Sequence, residues 1–160
     1  LINNSGVGKD GVLGTQHERD IEEVLTVNLH APILMSKYVS RQMVRQKVGR
    51  IVNISSIIAS TGFKGLATYA ASKAALEGFT RSFCREVGPY GVTVNCVAPG
   101  FMRTEMTEKL TGPKLASVTR RAPLGLATVN DVASAVGFLL EPVSSKITGS
   151  VFTVDGGSTA

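Results

Sequence analysis

Tyr69 and Lys73 lie four residues apart, a spacing in this sequence that suits acid–base chemistry. On a helix, residues i and i+4 share a face, so the Lys73 ammonium can lie beside the Tyr69 phenol. A free phenol has a pKa of about 10, and an adjacent cation favours the phenolate and lowers that pKa. The spacing therefore predicts a tyrosine that passes a proton to or from an alcohol oxygen. A surface Tyr and Lys on an amphipathic helix is the alternative interpretation.

Two further polar residues occupy positions from which they would assist this pair. Ser56 closes the apolar segment RIVNIS before Tyr69, and ligands bind at the carboxyl ends of parallel strands. Its hydroxyl would orient a carbonyl oxygen and stabilise a developing alkoxide, although a strand-end serine is otherwise a cap or turn residue. Asn28 interrupts an apolar helical face, and it is either a functional amide or a hydrogen-bonded core amide.

Length and charge limit the class of protein. The chain has 160 residues, of which 43% are apolar, enough for one domain with a sizeable core over residues 1–160. Its net charge is +5 and no basic run occurs, so neither nucleic acid nor a membrane surface is indicated as a partner. No segment approaches the ~18 apolar residues of a membrane span, and no signal peptide is recognisable. We expect a cytoplasmic protein, or one of the mitochondrial matrix if the source is eukaryotic.

Residues that bind metals are sparse. Cys84 and Cys96 each lie in an apolar segment without a second ligand at metal spacing, which predicts two buried free thiols. His17 and His30 belong to no zinc pattern. The sequence therefore predicts no metal site.

Strand and helix patterns alternate along the chain. Short β-branched runs at 50–55, 92–98 and 150–154 predict buried strands, and helical patterns cover 20–47, 68–87 and 129–140. Pro32 predicts a kink or a loosened turn in the first helix, and Thr128 or Asn130 would cap the last. The proline- and glycine-punctuated segment 101–124 resembles a flap. The alternation predicts an α/β domain whose parallel strands are joined by right-handed crossovers.

The sequence resembles the short-chain dehydrogenase/reductase family, and within it the 3-oxoacyl thioester reductases. The resemblance is carried by Asn28, Ser56, Tyr69 and Lys73 and by several motifs that occur in the order and spacing of that family. The resemblance extends from Leu1 to Ala160. The segments that carry it are NNSG at 3–6, VNL at 27–29, NISS at 53–56, YAASK at 69–73, PGFMRT at 99–104, ITG at 147–149 and VDGG at 154–157.

This resemblance implies the fold and the roles of the site residues. It implies a Rossmann-like, doubly wound parallel sheet, of which this chain is the C-terminal part. Tyr69 would be the general acid, Lys73 would lower its pKa and bind the nicotinamide ribose, and Ser56 would orient the substrate carbonyl. Asn28 would hold a water that links Lys73 to solvent. A hydride would come from NADP, or from NAD, because no side chain can donate one. The implied cofactor contacts are Asn4, Ser5, Gly6, Tyr69, Lys73, Pro99, Gly100, Met102 and Thr104.

The same resemblance implies a reaction and a partner. The reaction is NADPH-dependent reduction of a 3-oxoacyl thioester on acyl carrier protein to the 3-hydroxyacyl thioester, in fatty-acid synthesis. Dehydrogenation of another secondary alcohol, such as a sugar, steroid or polyol, is one alternative, and a catalytically dead fragment is another. Arg45, Lys47 and Arg50 would meet the acidic carrier, or else form a solvated basic face.

The family's phosphate-binding turn, of the form TGxxxGxG, is not in this chain and would precede Asn3. That turn cradles the pyrophosphate, and the strand after it selects NADP or NAD. We therefore expect these 160 residues to belong to a longer polypeptide and to have no dehydrogenase activity alone. Family tetramers bury helices of this kind between subunits, and Phe79, Phe83 and Val87 are candidates for that contact or for the core.

Overall fold

The computed structural model describes residues 1–103 and 112–160. Within these ranges it has four strands, β1 Ile2–Asn3, β2 Gly49–Ile54, β3 Val92–Pro99 and β4 Val151–Val154. The α-helices of the same ranges are α1 Glu18–Leu25, α2 Ala31–Gln46, α3 Ile58–Thr61, α4 Ala67–Val87, α5 Gly112–Arg120 and α6 Val129–Leu140. Short 3₁₀ turns occur at Leu13–Thr15, Gly88–Tyr90 and Pro142–Ser144.

The four strands form one parallel sheet in the order β1-β2-β3-β4. Every residue of β3 is buried, as expected for a parallel strand covered on both faces. The predicted α/β class and parallel sheet are confirmed, and each predicted strand lies within one or two residues of its observed bounds. The carboxyl ends of the strands lie at one edge of the sheet, and ligands of open parallel sheets bind at this edge.

Helices cover both faces of the sheet, because adjacent residues of a strand point to opposite sides. Ile51 of β2 packs in a cluster with residues of α2 and α4, whereas its neighbour Val52 packs with Val136 and Leu139 of α6. The sheet is therefore doubly wound. Each strand is added at the same edge of the sheet, in the order β1-β2-β3-β4. The connection from β3 to β4 runs through α6 on the opposite face from α2 and α4, so its hand is opposite to that of the other connections. The prediction of right-handed crossovers is therefore wrong for this connection.

The first helical segment contains the predicted loosened turn. Residues Thr26–His30 between α1 and α2 form a π-helical turn, in which the Ala31 N–H bonds to the Thr26 carbonyl five residues earlier. Pro32 explains the break, because it has no N–H to donate to the carbonyl of Asn28, its α-helical partner. Such turns often occur at functional sites, and this one carries the buried Asn28.

The other helices begin and end near their predicted positions. α4 covers 67–87 against a prediction of 68–87, and α6 covers 129–140 as predicted. Thr128 is the residue that caps α6, through a reciprocal capping box with Asp131. Cys84 and Cys96 are both free and buried, as predicted.

A ladder of polar side chains crosses the sheet and fixes its register. Asn3 and Asn53 are paired residues of β1 and β2, and the Asn3 Nδ2 donates to the Asn53 Oδ1 at 2.7 Å. Asn53 in turn donates to the Thr80 Oγ1 of α4 at 2.8 Å, and Thr80 contacts the Cys96 Sγ of β3 at 3.1 Å. A slip of one residue would turn each of these side chains to the opposite face. The ladder therefore holds α4 in a defined position over β2 and β3.

In the described part of the chain, no helix combines the length and the apolar character that crossing a membrane requires. The same residues contain no group of three His, Cys, Asp or Glu side chains that could hold a metal ion.

Candidate active site

Ser56 lies two residues beyond the carboxyl end of β2, at the edge of the sheet that receives ligands. Its Oγ accepts a 3.3 Å hydrogen bond from the Ile58 N–H at the start of α3. The same side chain faces Tyr69 and lowers the pKa of its phenol. The hydroxyl therefore stands between a backbone donor and the phenol, in a position from which it can orient a carbonyl oxygen.

Tyr69 and Lys73 occupy consecutive turns at the start of α4, as the i, i+4 spacing predicts. The Lys73 Nζ lies 5.7 Å from the centre of the Tyr69 ring. Lys73 is only 3% exposed, and its Nζ donates a 2.7 Å hydrogen bond to the carbonyl oxygen of Ile54. Burial lowers the pKa of Lys73 to about 8, while the nearby Cys96 raises it. The side chain is therefore still mainly an ammonium ion at pH 7.

The pKa of Tyr69 moves in the direction opposite to the prediction. Burial raises it above the ordinary value of a phenol, and the hydrogen bond with Ser56 lowers it by a smaller amount. The contribution of Lys73 to this pKa stays a prediction. The net shift is upward because desolvation of the phenolate outweighs the hydrogen bond with Ser56. Tyr69 consequently remains protonated at neutral pH, which is the form that an acid needs.

Asn28 points from the π-helical turn into the interior and is completely buried. Its Oδ1 accepts from the Val7 N–H at 2.8 Å, and its Nδ2 donates to the Val7 carbonyl at 2.9 Å and to the Ser72 Oγ at 3.1 Å. The Ser72 hydroxyl donates to the Tyr69 carbonyl at 2.7 Å. Asn28 thus joins the loop after β1 to α4, and of its two sequence interpretations the hydrogen-bonded core amide describes the side chain.

The loop after β1 brings Asn4, Ser5 and Gly6 to the same edge. Asn4 and Ser5 are exposed and Gly6 is half-buried. A Cβ atom added at Gly6 would lie 3.3 Å from the Lys73 Nζ and 3.6 Å from the Asn28 Oδ1. The absence of a side chain there lets the backbone approach Lys73 closely.

The remaining predicted contacts follow β3. Pro99 ends that strand and is buried, Gly100 and Met102 are half-buried, and Thr104 lies outside the described residues. A Cβ at Gly100 would lie 2.5 Å from the Asp155 Cβ, so glycine lets the end of β3 pass close to the residue after β4. Segment 101–124, interpreted as a flap, lies partly outside the described residues; its described part includes helix α5.

Several residues of the site were missed by sequence reasoning. The Ile54 carbonyl, which holds Lys73, gives no sequence signal because every residue has a carbonyl. Ser72 lies within the YAASK segment and Ser55 precedes Ser56, so both were within reach of that reasoning. Val7 and Glu77 are brought to the site by tertiary contacts alone.

The residues at this edge fit a nicotinamide dinucleotide. The Lys73 ammonium and the Tyr69 phenol are groups that can bind ribose hydroxyls. Gly6 leaves open the space beside Lys73 that the Cβ of any other residue would fill. Small residues after β1 and β3 line both sides of β2 at the carboxyl edge. Lys73 and Tyr69 would hold the nicotinamide ribose, the loop 4–6 would lie against the adenosine ribose, and Gly100 and Met102 would line the nicotinamide and the pyrophosphate.

A doubly wound parallel sheet with Ser56, Tyr69 and Lys73 at its carboxyl edge defines a Rossmann-type domain. A family model described as enoyl-(acyl carrier protein) reductase matches residues 1–159. The chain belongs to the short-chain dehydrogenase/reductase family.

Curated relatives match nearly the whole of this chain. It is 40% identical over 158 residues to the 3-oxoacyl-[acyl-carrier-protein] reductases FabG of Vibrio cholerae serotype O1 and Salmonella typhimurium, and 39% identical to that of Escherichia coli. Each match covers 98% of this chain and 65% of the relative. The chain therefore spans about two thirds of the length of these relatives.

Solved structures agree on the fold. A gluconate 5-dehydrogenase from Burkholderia cenocepacia, in complex with NADP and tartrate, is 30% identical with a TM-score of 0.96, over 99% of this chain and 64% of that one. A putative NAD(P)-dependent gluconate 5-dehydrogenase from Beutenbergia cavernae with bound NADP is 37% identical with a TM-score of 0.95, over 99% and 65%.

Proposed function

We propose that the full-length protein is an NADPH-dependent reductase that converts a 3-oxoacyl thioester, carried on acyl carrier protein, to the 3-hydroxyacyl thioester. The observation that carries the proposal is the convergence of Ser56 and Lys73 on Tyr69 in a chain 40% identical to 3-oxoacyl-[acyl-carrier-protein] reductases. The preference for NADPH is supported by the NADP in both gluconate 5-dehydrogenase structures.

The three side chains divide the work of the reaction. Tyr69 donates its phenol proton to the carbonyl oxygen of the substrate, and its raised pKa keeps that proton in place at neutral pH. The Ser56 hydroxyl orients the same oxygen and stabilises the charge that develops on it. The nicotinamide, when bound, supplies the hydride. The Lys73 ammonium stabilises the phenolate that remains on Tyr69.

Asn28 contributes through its backbone in this proposal. Its side chain is committed to Val7 and Ser72, so it has little capacity left for a water. Pro32 has no N–H to donate to the Asn28 carbonyl, and we infer that this oxygen accepts from a water on the path to Lys73. A water held there would return a proton from solvent through Lys73 to Tyr69.

The basic residues before β2 support docking of an acidic carrier. Arg45 and Lys47 are exposed at the end of α2, where their positive charges would attract an acidic surface. Arg50 is half-buried and donates to the Gly49 carbonyl at 2.9 Å, so it is less free to contact a partner. Arg45 and Lys47 are therefore the residues we assign to the carrier.

We propose that the protein is a homotetramer that buries α2 and α4 between subunits. Leu34 and Met35 are exposed apolar residues of α2, and Phe79 and Phe83 of α4 stack at 5.1 Å while remaining half-buried. Val87 is 5% exposed and belongs to the core, so it is not a contact candidate. Light scattering coupled to gel filtration would give the number of subunits.

Oxidation of a sugar acid is the second candidate. A gluconate 5-dehydrogenase superposes on this chain with a TM-score of 0.96. Proton transfer by a tyrosine acid can serve the oxidation of other secondary alcohols as well. The two candidates differ in their substrate rather than in their proton transfer.

The test is an assay of the full-length protein with both substrates. We expect NADPH oxidation with an acetoacetyl thioester, and little NADP reduction with gluconate. Tyr69→Phe should abolish turnover, whereas Tyr38→Phe, which removes the same hydroxyl from an exposed tyrosine of α2, should keep it. Faster turnover of gluconate would favour the second candidate, and activity that survives Tyr69→Phe would contradict both.

A further inference from the structure

Three consecutive residues at the carboxyl end of β2, Ile54 to Ser56, contact three residues of α4 that are spaced by one helical turn. The Ile54 carbonyl accepts from Lys73, and the Ser56 side chain interacts with the Tyr69 phenol, whose pKa it lowers. Between them, the Ser55 hydroxyl donates to the Glu77 Oε1 at 2.7 Å. Because residues i, i+4 and i+8 share one helix face, a single face of α4 holds the whole tripeptide 54–56.

The contact between Ser55 and Glu77 is sheltered from water. Ser55 is 3% exposed, and the Glu77 side chain is 14% exposed. The other carboxylate oxygen, Oε2, lies 3.8 Å from the Arg81 Nη1 one turn further along α4. The carboxylate is thus placed between the Ser55 hydroxyl and the Arg81 guanidinium, and a hydrogen bond to a charged acceptor is stronger than one between neutral groups.

On its other side the tripeptide is fixed by the sheet. The Ser55 N–H donates to the Val97 carbonyl of β3 at 2.7 Å, and the Ile57 N–H donates to the Pro99 carbonyl at 3.0 Å. These bonds set the distance of the tripeptide from β3. The position of α4 over β2 is set nearby by the hydrogen bond from Asn53 to Thr80, and at the tripeptide itself by the three side-chain contacts.

We propose that Glu77 is a positioning residue of this site: by holding the Ser55 hydroxyl, it keeps the Ile54 carbonyl on the Lys73 ammonium and the Ser56 hydroxyl on the Tyr69 phenol. Glu77 itself touches none of the reacting groups in this scheme. The proposal rests on the reductase function proposed above for its kinetic test, but its geometric test does not depend on any substrate.

The kinetic test compares two replacements of Glu77 in the full-length protein. Glu77→Met removes the acceptor at similar size, and we expect kcat to fall by about 10- to 100-fold, the effect of a small misplacement of catalytic groups. Glu77→Gln keeps an amide oxygen that can accept from Ser55, so kcat should stay within about threefold of the original. The KM for the thioester should change little in either variant.

Two further variants separate positioning from stability. Ser55→Ala should reproduce the loss of Glu77→Met, and the double variant should be no worse, because both remove one interaction. Glu86→Met, at an exposed glutamate of the same helix, should leave kcat unchanged. Thermal unfolding of each variant shows that kinetics are measured on folded protein. An unchanged kcat for folded Glu77→Met, or strictly additive losses in the double variant, would overturn the proposal.

Crystal structures of the original protein and of Glu77→Met provide the geometric test. We expect the distance from the Lys73 Nζ to the Ile54 oxygen, and that from Ser56 to Tyr69, to lengthen in the variant. Unchanged distances would overturn the positioning role even in an active enzyme. If the original protein reduces no thioester, the proposed function fails while these distances still decide the role of Glu77.

Discussion

The Lys73 Nζ donates a 2.7 Å hydrogen bond to the carbonyl oxygen of Ile54, and so connects the first turns of α4 to the end of β2. A lysine that is 3% exposed has lost most of its hydration, and a single backbone carbonyl replaces it only in part. The pKa of Lys73 is lowered because burial disfavours its charged form. The site therefore holds a cation that is unfavourable for folding, in the place where the Tyr69 phenolate needs one.

The cost of burying Lys73 should appear in the pH dependence of stability. Its pKa falls from 10.5 to about 8 on folding, so between these values the unfolded chain binds more protons and stability rises with pH. Relative to Lys73→Met, the free energy of unfolding should increase by about 2.5 kcal/mol from pH 7 to pH 10. Urea denaturation of both proteins at these two pH values measures it. A difference independent of pH would contradict the lowered pKa.

Removing the Ser56 hydroxyl should raise the pKa of Tyr69 further. The hydrogen bond with Ser56 is the influence that lowers this pKa against burial, so Ser56→Ala leaves burial unopposed. Loss of a group that stabilises the developing alkoxide should also lower kcat by about 100-fold. NMR titration of labelled tyrosine and steady-state kinetics check the two effects. Ser60→Ala, at an exposed serine of α3, is the control and should change neither; a fall in the Tyr69 pKa in Ser56→Ala would refute this account.

Loss of the Asn28 amide should destabilise the fold. Asn28→Ala leaves both backbone groups of Val7 without this partner, and each buried group left unsatisfied costs about 1–3 kcal/mol. We expect the free energy of unfolding to fall by about 2–4 kcal/mol in urea denaturation. The exposed Asn130→Ala in the first turn of α6 should change it by less than about 0.5 kcal/mol. Equal effects of the two substitutions would show that Val7 finds other partners.

Two glycines should respond in opposite directions to alanine. Gly91 has a φ of +75°, and a Cβ there would lie 2.6 Å from the Lys47 carbonyl oxygen, so Gly91→Ala should cost about 1–3 kcal/mol. Gly78 lies within α4 with nothing near its Cβ position, so Gly78→Ala should stabilise by about 0.5–1 kcal/mol. Thermal and urea unfolding measure both. Effects of the same sign would contradict the local geometry.

The sequence by itself determined the features that depend on local periodicity. The pair Tyr69 and Lys73 follows from the helical repeat, the bounds of α4 and α6 from their apolar spacing, and the loosened turn at Asn28 from a proline four residues later. Each of these needs only neighbours within a turn or two of helix. Family motifs added the expected roles of these residues.

Tertiary structure alone decided what depends on burial and on distant partners. The sign of the Tyr69 pKa shift is set by desolvation, which the residue spacing cannot report. The carbonyl that holds Lys73, the Val7 backbone that holds Asn28, and the Glu77 carboxylate that holds Ser55 are brought together from segments 19 to 22 residues apart. Tertiary packing likewise determines which face of the sheet α6 covers, because the apolar stripe of this helix could pack against either face.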